Sequence, residues 1–125
     1  MATSQYVRTS SNREPETLSV AELRETLGIS RERMGRLLDV SARTIQRWED
    51  QNQLPSNRWV RGVLVELDRV VSLGKEVFTP EGLQIVMTQP QPVFKNRSGL
   101  DLIEAGEGEA VFGEFAGAYE GYIGT

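Results

Sequence analysis

The chain has 125 residues, of which 38% are apolar and 26% are charged, a composition typical of a small globular protein. It contains no cysteine and no histidine, which excludes disulfides, thiolate metal sites and the commonest general base near neutral pH. No apolar run is long enough to span a membrane, and the polar start lacks a secretory signal, so we expect a cytoplasmic protein.

The absence of cysteine and histidine also argues against an enzyme. Carboxylates alone can serve a glycosidase or a Mg²⁺-dependent phosphotransferase, but either needs a shaped pocket that 125 residues supply only with difficulty. We therefore predict no catalytic residues, no metal site and no cofactor.

The net charge of −4 hides a division of charge along the chain. Residues 1–61 carry ten arginines and eight acidic residues, a net +2, whereas residues 62–125 carry four basic and ten acidic residues, a net −6. All seven basic residues within 30–61 are arginines, which suit bidentate contacts with phosphate and guanine. Charge alone favours a nucleic-acid face and a solvated helical surface about equally.

Three short helices are predicted after a polar arm, residues 1–17, that lacks apolar periodicity. An apolar residue precedes a serine at each start, and another follows four positions after the serine, the pattern of an N-cap with a hydrophobic staple. These caps are Ser19, Ser30 and Ser41. We expect Gly28 and Asp39 to end the first two helices in the left-handed conformation.

The second and third helices, predicted at Arg31–Leu38 and Ala42–Gln51, have the spacing of a helix-turn-helix. Gly35 is expected where the two helices cross, because a larger side chain would hold them apart. With Ile45 and Trp48 turned inward, the polar and basic side chains of the third helix face outward.

Those outward side chains are of the types found on a recognition helix. Arginine bonds guanine, glutamine bonds adenine, and hydroxyl groups in the first turn can donate to phosphate. The alternative is an ordinary three-helix bundle with an arginine-rich exterior, which we rank lower because turn spacing, glycine and both helix faces agree. The predicted DNA-binding residues are Ser41, Arg43, Thr44, Gln46 and Arg47.

The segment 29–50, ISRERMGRLLDVSARTIQRWED, resembles the Xre/Cro-like family of bacterial helix-turn-helix DNA-binding domains. Asp39 stands at the turn, where that family usually has glycine. The stretch TIQRWEDQNQLP also resembles excisionase-like and MerR-like domains, which remain competing assignments. The resemblance implies a DNA-binding domain over residues 18–76.

A strongly amphipathic helix is predicted next, at Arg58–Leu73, with Gly74 ending it. Its apolar stripe can cover the three-helix core, which is the use we rank first, and Trp59, Val65 and Leu73 add surface for contact with a second chain. A homodimer is expected because one helix-turn-helix contacts only a half-site of DNA.

The last third of the chain predicts a second helical module. Seven of the twelve glycines and six of the eighteen acidic residues lie between Gly99 and Gly124. Helices are predicted from Pro80 to about Gln89, from a capping box at Ser98, and along the final segment. Glycines spaced four apart make one side of that final helix flat, so it needs a packing partner, either within the module or on another protein.

Residues 77–125 resemble the toxin-binding module of Xre/MbcA/ParS-like antitoxins. The matching features are, in order, FTPE, TQPQPVF, KNRSG before LDLIEAGEGEAV, and FGEFAGAYEGYIG. The resemblance implies an all-α protein with an N-terminal helix-turn-helix bundle and a small helical toxin-binding module. It also implies a type II antitoxin that covers the active site of a cognate toxin from the adjacent gene, usually a RES-domain enzyme acting on NAD⁺, and represses its own operon by binding operator DNA.

The large apolar and aromatic side chains of the last helix are the predicted anchors for that toxin. They are Phe112, Phe115, Tyr119 and Tyr122. A stand-alone transcriptional regulator, whose C-terminal module serves only dimerisation, and an excisionase-like architectural DNA binder remain alternatives. An antitoxin gene is expected next to its toxin gene, so the neighbouring reading frame discriminates between them.

Overall fold

The computed structural model describes residues 18–124, with side chains to residue 121, and the predicted arm 1–17 lies outside the described residues. Within that part the regular elements are helices and one 3-10 turn, so the all-α prediction is confirmed there. The helices are α1 Val20–Leu27, α2 Arg31–Leu38, α3 Ala42–Asp50, α4 Arg58–Val77, α5 Pro80–Thr88, α6 Gly99–Glu104 and α7 Gly108–Gly124, with the 3-10 turn at Pro92–Phe94.

The predicted helix caps are confirmed. Ser30 and Ser41 accept hydrogen bonds from backbone N–H groups three residues later, at 3.0 and 3.1 Å. Gly28 and Asp39 follow α1 and α2 with φ of 68° and 59°, the left-handed conformation that ends a helix. Ser98 forms the predicted capping box at the start of α6. These local signals therefore position α2, α3 and the turn between them.

Gly35 has a different packing reason from the predicted one. A Cβ at this position would lie 2.5 Å from the carbonyl oxygen of Val40 and 3.3 Å from the backbone of Ser41. The Val40 N–H also donates to the Gly35 carbonyl at 2.9 Å. The glycine therefore lets the backbone of the turn fold directly onto α2, and even alanine would collide with it.

The prediction that Gly74 ends the long helix is wrong, because α4 continues to Val77. A Cβ at Gly74 would lie 2.5 Å from Leu83 of α5 and 3.1 Å from the ring of Phe115 on α7. The missing side chain therefore allows α5 and α7 to pack against α4. The helix ends where Phe78 turns into an extended conformation, two residues before Pro80.

A single cluster of buried apolar side chains within the described residues joins α1, α2 and α3 to the C-terminal helices. In this arrangement α4 packs against α7, α1 against α5, and α2 against α6. Arg33 on α2 also pairs with Asp101 and Glu104 of α6, at 3.4 and 3.0 Å. The predicted boundary between residues 18–76 and 77–125 therefore crosses a shared core.

Candidate functional site

A groove of about 880 Å³ lies between the start of α2 and the outward face of α3. Arg43, Gln46 and Arg47 line it and are exposed, while Ile45 and Trp48 on the opposite side of α3 are buried. The inward and outward faces of α3 are therefore those that the apolar spacing predicts. Base-contacting side chain types stand together on one exposed helix face.

The two hydroxyl residues predicted to bind phosphate lie at the start of the same helix. Ser41 is exposed and Thr44 is half-buried, and their hydroxyl oxygens are 3.0 Å apart. The Ser41 hydroxyl also accepts from the Thr44 N–H at 3.1 Å, which caps α3. The structure thus brings together all five predicted residues, and the hydroxyl pair already has a structural task.

Beneath the groove lies an ion-pair cluster that the sequence analysis missed. The side chain of Glu49 is only 6% exposed, and its carboxylate accepts hydrogen bonds from Arg24 Nε and Nη2, at 2.6 and 3.2 Å. It also accepts from Arg31 Nε at 3.0 Å. The only sequence signal was that Glu49 follows the inward-facing Trp48. The cluster ties α3 to both preceding helices and so fixes the candidate recognition helix.

The same contacts keep Glu49 ionised. Burial opposes the charged form, but the hydrogen bonds from Arg24 and Arg31 outweigh it, so the pKa of Glu49 lies below its ordinary value. Arg24 and Arg31 also line the groove, together with Arg43 and Arg47. Four arginines against three carboxylates, those of Glu32 and Asp50 in the lining and of Glu49 beneath it, leave a net charge of +1.

The predicted toxin anchors occupy different environments. Phe115 is 2% exposed and packs edge-to-face on Phe78, with ring centroids 5.1 Å apart. It is therefore a core residue and not the exposed anchor that its sequence position suggested. Phe112 is half-buried with the guanidinium of Arg69 4.7 Å from its ring centroid, and Tyr119 is half-buried. The side chain of Tyr122 lies outside the described residues.

The outward face of α7 is flat and acidic. Built Cβ atoms at Gly113, Gly117 and Gly121 would meet no described atom within 4 Å, so the glycine stripe has no packing partner among the described residues. Glu114 is exposed on the same helix. Ala118, predicted to share the apolar face with Phe115, is also exposed. The sequence predicted that this stripe packs either within the module or on another protein. The described part of the chain does not cover it.

No helix of residues 18–124 is both long enough and apolar enough to cross a membrane. The described residues also bring together no group of three or more acidic side chains that could hold a metal ion.

No model of a known protein family matches the chain. Over 87 residues it is 30% identical to the mycobacterial cidal antitoxin MbcA of Mycobacterium tuberculosis strain H37Rv, covering 70% of this chain and 76% of the relative. The MbcA protein of Mycobacterium bovis matches to the same extent. The fold matches a chain from the crystal structure of the M. tuberculosis MbcT–MbcA toxin–antitoxin complex, with a TM-score of 0.68 and 28% identity. That match covers 82% of this chain and 91% of the other. The extent of both similarities shows that the chain belongs to the MbcA family of antitoxins.

Proposed function

We propose that the chain neutralises a protein toxin encoded by the adjacent gene, by binding it through residues 77–125 and covering its active site. The observation that carries this proposal is the similarity to a chain solved within a toxin–antitoxin complex, which extends over 82% of this chain. The protein acts by binding and not by catalysis, as a cytoplasmic partner of the toxin.

The proposed toxin is a RES-domain enzyme that acts on NAD⁺. This part of the proposal rests on the resemblance of residues 77–125 to the toxin-binding module of Xre/MbcA/ParS-like antitoxins, whose usual partner is of that class. The acidic outward face of α7, with Glu114 and Glu120 exposed, supports it electrostatically. A cleft that binds the diphosphate of NAD⁺ presents cationic groups, which an acidic helix face complements.

The second proposed activity is repression of the chain's own operon. Arg43, Gln46 and Arg47 stand exposed on one face of α3, beside a groove lined by further arginines. This placement supports insertion of α3 into the major groove of operator DNA. A homodimer would supply the second α3 that a two-part operator requires.

Co-expression with the neighbouring gene product tests the toxin proposal. Wild-type protein is expected to restore growth and to co-purify with that product. Gly117→Arg adds a long cation to the open face of α7 and is expected to abolish both effects, because it blocks close approach and reverses charge. Gln53→Arg adds the same side chain at an exposed position outside residues 77–125 and should behave like wild type.

Rescue by Gly117→Arg would show that the outward face of α7 is not the inhibitory surface. If the wild-type chain binds no neighbouring product at all, a stand-alone regulator becomes the better assignment. Substitution is preferable to truncation after Gly106, because truncation would also remove Phe115 from the core.

A gel-shift titration with the upstream region of the operon tests DNA binding. The Arg43→Ala, Arg47→Ala double variant is expected to lose specific binding, each lost base contact costing about 1–3 kcal/mol. Its matched control is Lys75→Ala with Lys95→Ala, since both lysines are exposed outside the groove and the charge change is the same. Equal titrations for the two double variants would refute the assignment of α3.

A further inference from the structure

We propose that Trp59 packs against a sugar–phosphate strand of operator DNA, at the edge of the major groove that α3 enters. The inference rests on the DNA binding of the proposed function and adds a contact from α4 to it. It is carried by a second groove, which shares Arg47 with the first, and by the chemistry of the side chains that line it.

The second groove, of about 350 Å³, lies between α3 and the start of α4. Its lining comes from the turn that joins α2 to α3, from the residues just before α4, and from Trp59. Arg47 of α3 lines both this groove and the larger one beside the start of α2. The two grooves therefore border α3 on different sides, with the exposed Arg47 between them.

The dimensions of DNA place a strand beside this side of α3. The major groove is about 12 Å wide, and an α-helix with its side chains is about 10–12 Å across. A helix in the major groove therefore has a sugar–phosphate strand along each flank, and the elements packed beside the helix meet those strands. When Arg43 and Arg47 contact bases, the groove between α3 and α4 faces one strand.

The lining of the second groove suits such a strand. Ser56 and Asn57 are exposed and carry hydroxyl and amide donors, which can bond phosphate oxygens without reading sequence. Arg47 is the one cation of the lining and Asp39 the one carboxylate, so the groove has no net charge. Hydrogen-bond donors, and not excess positive charge, therefore provide the polar contacts with the strand.

Trp59 completes the groove with an amphipathic side chain. It is 58% exposed, whereas the other tryptophan of the chain, Trp48, is 7% exposed. An indole has a broad apolar face, which can lie on a deoxyribose, and an N–H group, which can donate to a phosphate. Each nucleotide of a DNA strand offers both a sugar and a phosphate. The strand therefore satisfies the apolar and the polar part of the exposed indole together.

Fluorescence quenching of the full chain reports this contact, because Trp59 is the only tryptophan that acrylamide can readily reach. Adding a duplex of the upstream region of the operon should lower the quenching constant of the wild type to nearly that of Trp59→Phe. The Trp59→Phe control keeps only the buried Trp48 and should be quenched weakly with and without the duplex. A complex seen by gel shift in which the wild-type quenching constant is unchanged would overturn the contact.

Binding titrations test whether Trp59 contacts the strand or the bases. Trp59→Ser is expected to weaken binding about tenfold to the operon duplex and by the same factor to a duplex of unrelated sequence, because strand contacts carry no sequence information. Val93→Ser is the matched control, since Val93 is 57% exposed on the 3-10 turn, outside both grooves. A loss confined to the operon duplex, or a loss no larger than that of the control, would overturn the strand contact.

The outcomes separate this contact from the proposed function on which it rests. Wild-type protein that binds neither duplex would refute operon repression and the contact together. A wild-type complex in which Trp59 stays as quenchable as in the free protein would refute the contact alone and leave the assignment of α3 standing. Protection of Trp59 by rising protein concentration, or by the neighbouring gene product, with none from DNA would assign the surface to a second copy or to the toxin and overturn the proposal.

Discussion

Replacing Glu49 with glutamine should destabilise the protein by about 2–3 kcal/mol, because its carboxylate is the shared acceptor for two arginines. The Glu49 side chain is 6% exposed, whereas those of Arg24 and Arg31 are 17% and 41% exposed. Water therefore screens the Arg31 contact more than the Arg24 contact, which keeps the cost below that of a fully buried pair. For a chain of this size the loss corresponds to a fall in melting temperature of about 10 °C.

The assay is urea unfolding of wild type and Glu49→Gln between pH 7 and pH 3. Because the folded-state pKa of Glu49 is lowered, its contribution is fully present above the ordinary value of 4.5 and is lost as pH falls through the folded-state pKa. The two unfolding free energies should therefore converge in acid. Asp50→Asn, a change at the exposed neighbour, should cost less than about 0.5 kcal/mol. A Glu49→Gln protein as stable as this control at pH 7 would refute the reasoning.

Three further changes test the packing. Gly35→Ala should cost about 1–3 kcal/mol in urea unfolding because its Cβ meets backbone, whereas Gly113→Ala, in open space, should stabilise by up to about 1 kcal/mol. Phe115→Ala should cost about 3–5 kcal/mol, and a near-neutral calorimetric result would return Phe115 to the interface candidates. Arg33→Ala should cost about 1 kcal/mol and Arg36→Ala, at an exposed site on α2, almost nothing; equal melting temperatures would discount the contact with α6.

The features predicted correctly from the sequence are those decided within one helical turn. Ser30 and Ser41 cap their helices with groups three residues away, and Gly28 and Asp39 end helices by their own backbone conformation. The exposed face of α3 also follows from the spacing of two apolar residues on one helix. Local patterns are therefore enough to place α2, α3 and the outward side chains of α3.

The features that the sequence did not predict depend on residues distant in the chain. Gly74 has the sequence signature of a helix end, yet its role is to admit Leu83 and Phe115. The core position of Phe115 depends on the same meeting of three helices. Arg33 and Glu104 are separated by 71 residues, and no periodicity in either segment reports that they pair. Tertiary contacts of this kind override the local signal.

The path of α4 has a consequence for how such a protein is removed from a cell. Its twenty residues span about 30 Å. Along this length α4 packs against α1 of the N-terminal part and against α5 and α7 of the C-terminal part. A single protease cut that released α7 would withdraw Phe115 from Phe78 and from the space over Gly74 of α4. The loss of this packing would destabilise α4, so one cleavage event is expected to disturb both proposed binding surfaces together.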